Sequence, residues 1–111
     1  MGRTDQNTET MADQRTINLL KKYIEIIPKD YGLRNAYLFG SYAKGSQKEE
    51  SDFDLALVFD HIDDFFTIQK QLRKLRRTID LRIEPHPIKT EDFNNENSFV
   101  SEIKKHGISL V

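Results

Sequence analysis

"GSYAKGSQKEESDFDLALVF", residues 40–59, decides how this chain folds. It follows "AYLF", residues 36–39, a short apolar run that reads as a buried strand stopped by Gly40. Residues 41–44 suit the first turn of a short helix, and the polar span from Lys44 to Ser51 suits an exposed loop. "DFDLALVF", residues 52–59, then alternates. Phe53, Leu55, Leu57 and Phe59 share one face, and Asp52, Asp54, Ala56 and Val58 share the other. Its upper half is apolar on both faces, as expected of a central strand.

Working outward, Ile17, Leu20, Ile24 and Ile27 fall at helical spacing from Asp13 up to Pro28. Lys29 to Asn35 reads as a turn-rich connection. Asp63 or Asp64 can cap a helix running to about Arg77, with Phe65, Ile68, Leu72 and Leu75 as its buried stripe. "IDLRIEPHPI", residues 79–88, reads as a third strand with Leu81 and Ile83 on one side and Asp80, Arg82 and Glu84 on the other. Pro85 and Pro87 suit a sheet edge. A last helix is expected from Asn97 or Ser98 to Gly107, with Lys104, Lys105 and His106 where cations favour the helix dipole. "ISLV" reads as a short terminal strand or tail. The expected fold is α/β (α+β), a small mixed sheet with helices packed against it. Residues 1–11 read as a mobile tail and 12–111 as one domain.

The 111 residues suffice for one small domain and leave little surface for a second, acceptor-binding one. A net charge of -1 supplies no global field toward nucleic acid or membrane. The chain has no cysteine, which removes disulfides, thiolate metal sites and cysteine nucleophiles. No apolar run approaches the ~20 residues of a spanning helix, and the N-terminus lacks a signal-peptide core. A cytoplasmic protein is the expectation.

The paired aspartates carry the chemistry. Asp52 and Asp54 point the same way, roughly 7 Å apart by backbone rise. Two anions so placed repel each other, and burial worsens the repulsion. A divalent cation relieves it, because carboxylates are the hard ligands magnesium takes, with water and phosphates completing the shell. Two such ions roughly 3.5–4 Å apart can clamp the attacking and leaving oxygens of a phosphoryl displacement. A third acid is needed near the attacking group. Asp80, opening the next strand, would supply it if that strand lies beside residues 52–58. Glu84 shares that face two pleats further along and ranks below Asp80. Gly40 lets a phosphate approach the backbone, and Ser41 adds a hydroxyl and an amide at the start of a helical turn.

Gly40-Ser41, ten residues, then Asp52-Phe53-Asp54 resembles the signature of the DNA polymerase beta-like nucleotidyltransferase superfamily. Tyr37-Leu38-Phe39, Ala43-Lys44-Gly45, "IEPHPI" leading to "EDF", and "SFVSEIKKHGISL" are similar to its minimal, single-domain branch. The resemblance implies magnesium-dependent transfer of a nucleoside monophosphate, AMP from ATP, to a hydroxyl, with release of pyrophosphate. It implies that Asp52, Asp54 and Asp80 hold metal and act in catalysis, and that Gly40, Ser41 and Lys44 bind the nucleotide. It also implies a helical partner of the HEPN class, with this chain as the antitoxin of a toxin–antitoxin pair, able to adenylylate that partner. Lys44 stands where members often have arginine, which keeps the charge and loses the two-pronged grip on phosphate. Ser98 replaces a proline expected before the last helix.

Plainer readings stand beside these. Asp52 and Asp54 could be solvated carboxylates at a strand start, Asp80 a turn residue, and Gly40-Ser41 an ordinary strand-to-helix turn. "KQLRKLRR", residues 70–77, reads first as a solvated basic face and second as a surface for an acidic partner or RNA. His86, between prolines, reads as structural, and His106 as a helix-end cation. "GSYAKGS" fails as a Walker loop because its lysine precedes the second glycine. "DFDLALVFDHIDD" lacks the glycine and closing glutamate of a calcium loop. A binding module that masks a helical partner without catalysis is the alternative function. Transfer to a small molecule such as an aminoglycoside ranks third, since such enzymes carry an extra domain.

Overall fold

Alternation along residues 53–59 dictates the centre of the molecule. Phe53, Leu55, Leu57 and Phe59 are all buried, and they form strand β2 (Phe53–Phe59) at the middle of a four-stranded sheet. The structure, a computed structural model, describes residues 14–40 and 52–111. The expected tail, the turn at 41–44, the loop to Ser51, and the site candidates Ser41 and Lys44 lie outside the described residues.

Strand β1 (Leu33–Phe39) runs antiparallel to β2, and β3 (Ile83–Lys89) runs parallel to it. A two-residue strand, β4 (Ile108–Ser109), pairs antiparallel with β1, so the order is β3-β2-β1-β4. The parallel pair needs a crossover, and helix α2 (Phe65–Leu75) supplies it. The Asp64 side chain caps that helix by accepting from Phe66 N at 3.1 Å and Thr67 N at 3.4 Å. Helix α1 (Gln14–Ile26) precedes β1, and helix α3 (Ser98–His106) follows β3, capped by Asn97.

Helices α1 and α2 cover the Phe53 face of the sheet. Leu20, Tyr23, Leu38, Leu55, Leu57, Phe59, Leu72 and Ile83 form one apolar cluster there. Tyr23 Oη donates to the Leu72 carbonyl at 2.7 Å inside the cluster, which satisfies the one polar atom that a buried tyrosine brings. Helix α3 lies against β1 through Val100 and Ile103, and its Phe99 meets Phe39 edge to face at 5.3 Å. That leaves a stretch of the second face, around Asp54, open for chemistry.

Two strand boundaries differ from expectation. β1 begins at Leu33, not Ala36, because Arg34 and Asn35 are exposed and the apolar pattern does not reach them. β3 begins at Ile83, not Ile79. A 3-10 turn over Arg76–Thr78 extends α2, and Asp80 N donates to Arg76 O at 2.9 Å. That bond spends residues 79–82 on a turn before the strand can start.

Candidate active site

Strand register assembles the site. Phe39 is level with Asp54 across β1–β2, and Asp54 is level with Glu84 across β2–β3. Cross-strand partners share a face, so Phe39, Asp54 and Glu84 form a row opposite the main core. Asp52 sits exposed just before β2.

Gly40 closes this row. Its φ is 81°, a conformation that costs an L side chain, and a Cβ there would stand 2.6 Å from Asp54 Oδ2. The backbone at the end of β1 therefore lies directly against the Asp54 carboxylate. The glycine corner is thus adjacent to Asp54, as expected.

Asp54 is half-buried, its side chain 31% exposed, and His86 Nε2 stands 3.3 Å from its Oδ1. The His86 ring packs edge to face against Phe39 at 5.2 Å. Sequence reasoning treated His86 as a structural residue between prolines. The available signal was parity: His86 lies two residues beyond Glu84 and so on the same face.

Asp80 is placed differently from its expected position. It is off the strand, and its carboxylate is engaged by Arg82. Oδ1 accepts from Arg82 N at 2.8 Å and Nε at 3.1 Å, and Oδ2 accepts from Nη2 at 3.0 Å. The side-chain hydrogen bonds from Arg82 hold the Asp80 carboxyl below its ordinary value, against a smaller opposing effect of burial. The guanidinium also lies over the Phe53 ring at 4.5 Å, pinning the turn to the head of β2. Glu84, which sequence reasoning ranked below Asp80, is the acid level with Asp54. Its Oε1 accepts from Arg76 Nη1 at 3.0 Å, with Arg73 Nη2 at 3.7 Å. Among the described residues no group of three histidine or carboxylate side chains is gathered tightly enough to hold a metal ion.

Asp52 and Asp54 nonetheless put two carboxylates, the hard oxygen donors that divalent cations take, at the head of β2. The basic residues of α2 and of the 3-10 turn after it form a separate feature. Lys70, Arg73, Lys74 and Arg77 line a groove of about 430 Å³ with Phe66 and Leu81, which are 85% and 67% exposed. No helix among the described residues is long and apolar enough to cross a membrane.

Residues 21–111 match the family model described as Polymerase beta, Nucleotidyltransferase. A protein of Methanocaldococcus jannaschii, provisionally named a protein adenylyltransferase, is 32% identical over 97 residues, 85% of this chain and 94% of that protein. Another so named from the same organism is 45% identical over 42 residues, 38% of this chain. That match spans only 42% of the relative's length. A solved toxin–antitoxin structure with AMP-PNP superposes with a TM-score of 0.60 at 26% identity, covering 86% of this chain and 72% of that one.

Proposed function

Because the chain belongs to the polymerase beta nucleotidyltransferase family, we propose that it transfers AMP from ATP to a hydroxyl of a protein partner. The observation that carries this reading is the contact between Gly40 and Asp54. A backbone without a side chain, held at φ 81° beside a carboxylate, gives one edge at which a triphosphate can meet bare backbone and a metal-binding acid together. Asp52 and Asp54 would hold magnesium, which when bound neutralises phosphate charge. Gly40, Ser41 and Lys44 bind the phosphates. His86 steadies the Asp54 carboxylate from the far side.

The third acid is Asp80 by resemblance and Glu84 by register. The two are separable. The acid that serves the reaction loses at least about a hundredfold in transfer rate when neutralised, in the range typical of a positioned acid or base. The other loses little.

The partner is a helical, HEPN-type protein, and this chain is its antitoxin. One observation supports a protein acceptor: the α2 groove offers cations beside exposed apolar side chains. Incubation of the pure chain with α-labelled ATP, magnesium and that protein tests the reading. Label moves to the partner with wild type and not with Asp54→Asn.

A second reading, masking of the partner by contact alone, has its own supporting observation. Asp80 and Glu84 are both already ion-paired within the chain. Under that reading Asp54→Asn still protects cells from the partner, and under the first it does not.

A further inference from the structure

A pocket of about 190 Å³ opens beside the glycine corner, between β1 and α3. Phe39, Phe99 and Ile103 make its mainly apolar wall, Gly40 is at its mouth, and Glu102 and His106 stand at its polar side. We infer that this pocket receives the purine base of the nucleotide whose phosphates lie at Gly40 and Asp54. The inference rests on the transfer reading above and adds where the base goes and what reads it.

Position comes first. Phe39 is level with Asp54 in the sheet, and Gly40 touches its carboxylate, so both residues that join the pocket to the sheet also border Asp54. A nucleotide with its phosphates at that carboxylate has its base one sugar away, within reach of a pocket that shares Phe39 and Gly40 with the phosphate site. Size comes next. The volume falls below the ~300–1,000 Å³ of clefts that swallow whole drug-sized ligands. It suits one fused aromatic ring with ribose and phosphates outside.

Chemistry completes the match. Phe99 is 45% exposed despite its size, so it has a surface free to lie against a base. Glu102 Oε2 stands 3.6 Å from His106 Nε2, which places a carboxylate acceptor next to an imidazole on one rim. The edge of adenine offers an amino donor beside a ring-nitrogen acceptor, and guanine offers a carbonyl acceptor beside a ring N–H. Either purine meets the pair. A pyrimidine reaches less far along the aromatic wall.

Competition binding with magnesium tests this, with ATP, UTP and inorganic tripolyphosphate as probes. Wild type is expected to bind ATP roughly tenfold or more tighter than tripolyphosphate, the scale of base–aromatic stacking, and tighter than UTP. Phe99→Ala and Glu102→Ala are each expected to bring ATP down toward tripolyphosphate while leaving tripolyphosphate unchanged. ATP no tighter than tripolyphosphate in wild type, or unchanged ATP affinity in both variants, overturns the base pocket and leaves the phosphate site standing. Failure of wild type to bind either probe overturns the transfer reading, and the pocket with it.

Discussion

Gly40 and Asp54 constrain one another. Any other residue at position 40 must adopt a positive φ and push a Cβ toward Asp54 Oδ2. Gly40→Ala is therefore expected to lower stability by about 1–3 kcal/mol and to weaken nucleotide binding at the same time. A urea titration beside a binding isotherm checks both. Asp80 makes a different prediction. Its carboxyl titrates below the ordinary 3.8 in the folded chain. A depressed acid stabilises fully above its unfolded value, and that contribution fades as pH falls through the lower folded value. Denaturant titrations of wild type and Asp80→Asn should therefore differ most at neutral pH and converge as pH drops below about 4. A gap that persists undiminished at low pH would contradict the Arg82 pairing. At this scale the sequence was legible where alternation or a turn forced one residue type, as at Gly40 and along β2. At Asp80 the strand pattern placed the acid and Arg82 on one face, so their pairing was open to reading, while the turn that takes Asp80 off β3 was not.

The elements were read with better success than their ends. The sequence narrowed one helix cap to Asp63 or Asp64 and the last helix start to Asn97 or Ser98, and the structure uses Asp64 and Asn97, whose side chains accept from the first turn. The start of β3 was not identifiable. "IDLRI" alternates well enough for a strand, and only the 3-10 extension of α2 shows that its first half is turn. The parallel pairing of β2 and β3 followed from an intervening helix, and it puts Glu84 level with Asp54. β3 is also the sheet edge, and its proteins-facing risk is limited: Pro85 and Pro87 lack N–H groups, and Gln69 and Arg76 donate to the carbonyls of Pro85 and Ile83. Between α1 and α2 the Tyr23 hydroxyl makes a buried polar tie. Burial pushes its ionisation far above the ordinary tyrosine value, so it stays a donor at any pH the fold survives. Tyr23→Phe should cost about 0.5–1.5 kcal/mol, since Arg76 N also donates to the Leu72 carbonyl and keeps it paired. Thermal or urea unfolding of the variant measures it.

At the scale of the whole molecule, the proposed function assigns two tasks to two surfaces. The row of Phe39, Asp54 and Glu84 with the glycine corner would take the nucleotide, and the α2 groove would take a partner. Arg73 and Arg76 connect them, because both reach Glu84. Reversing Lys70 and Lys74 to glutamate should weaken partner binding at least tenfold, with a shallower salt dependence, and leave nucleotide affinity unchanged. Calorimetry at two ionic strengths reads both quantities. The groove was visible in the sequence as "KQLRKLRR". Its apolar ends were not: Phe66 lies off the expected stripe of Phe65, Ile68, Leu72 and Leu75, and Leu81 reads as a strand residue beside Ile83 although it falls before β3 and is exposed. The account depends most on Asp52 and Asp54 serving a metal–nucleotide complex at Gly40. The most direct test is calorimetric titration of ATP into the folded chain with and without magnesium, for wild type, Asp52→Asn and Asp54→Asn. Magnesium-dependent binding in wild type that falls at least tenfold in each variant, about 1.4 kcal/mol, is the predicted result. Binding that ignores magnesium, or that survives both substitutions intact, would contradict it.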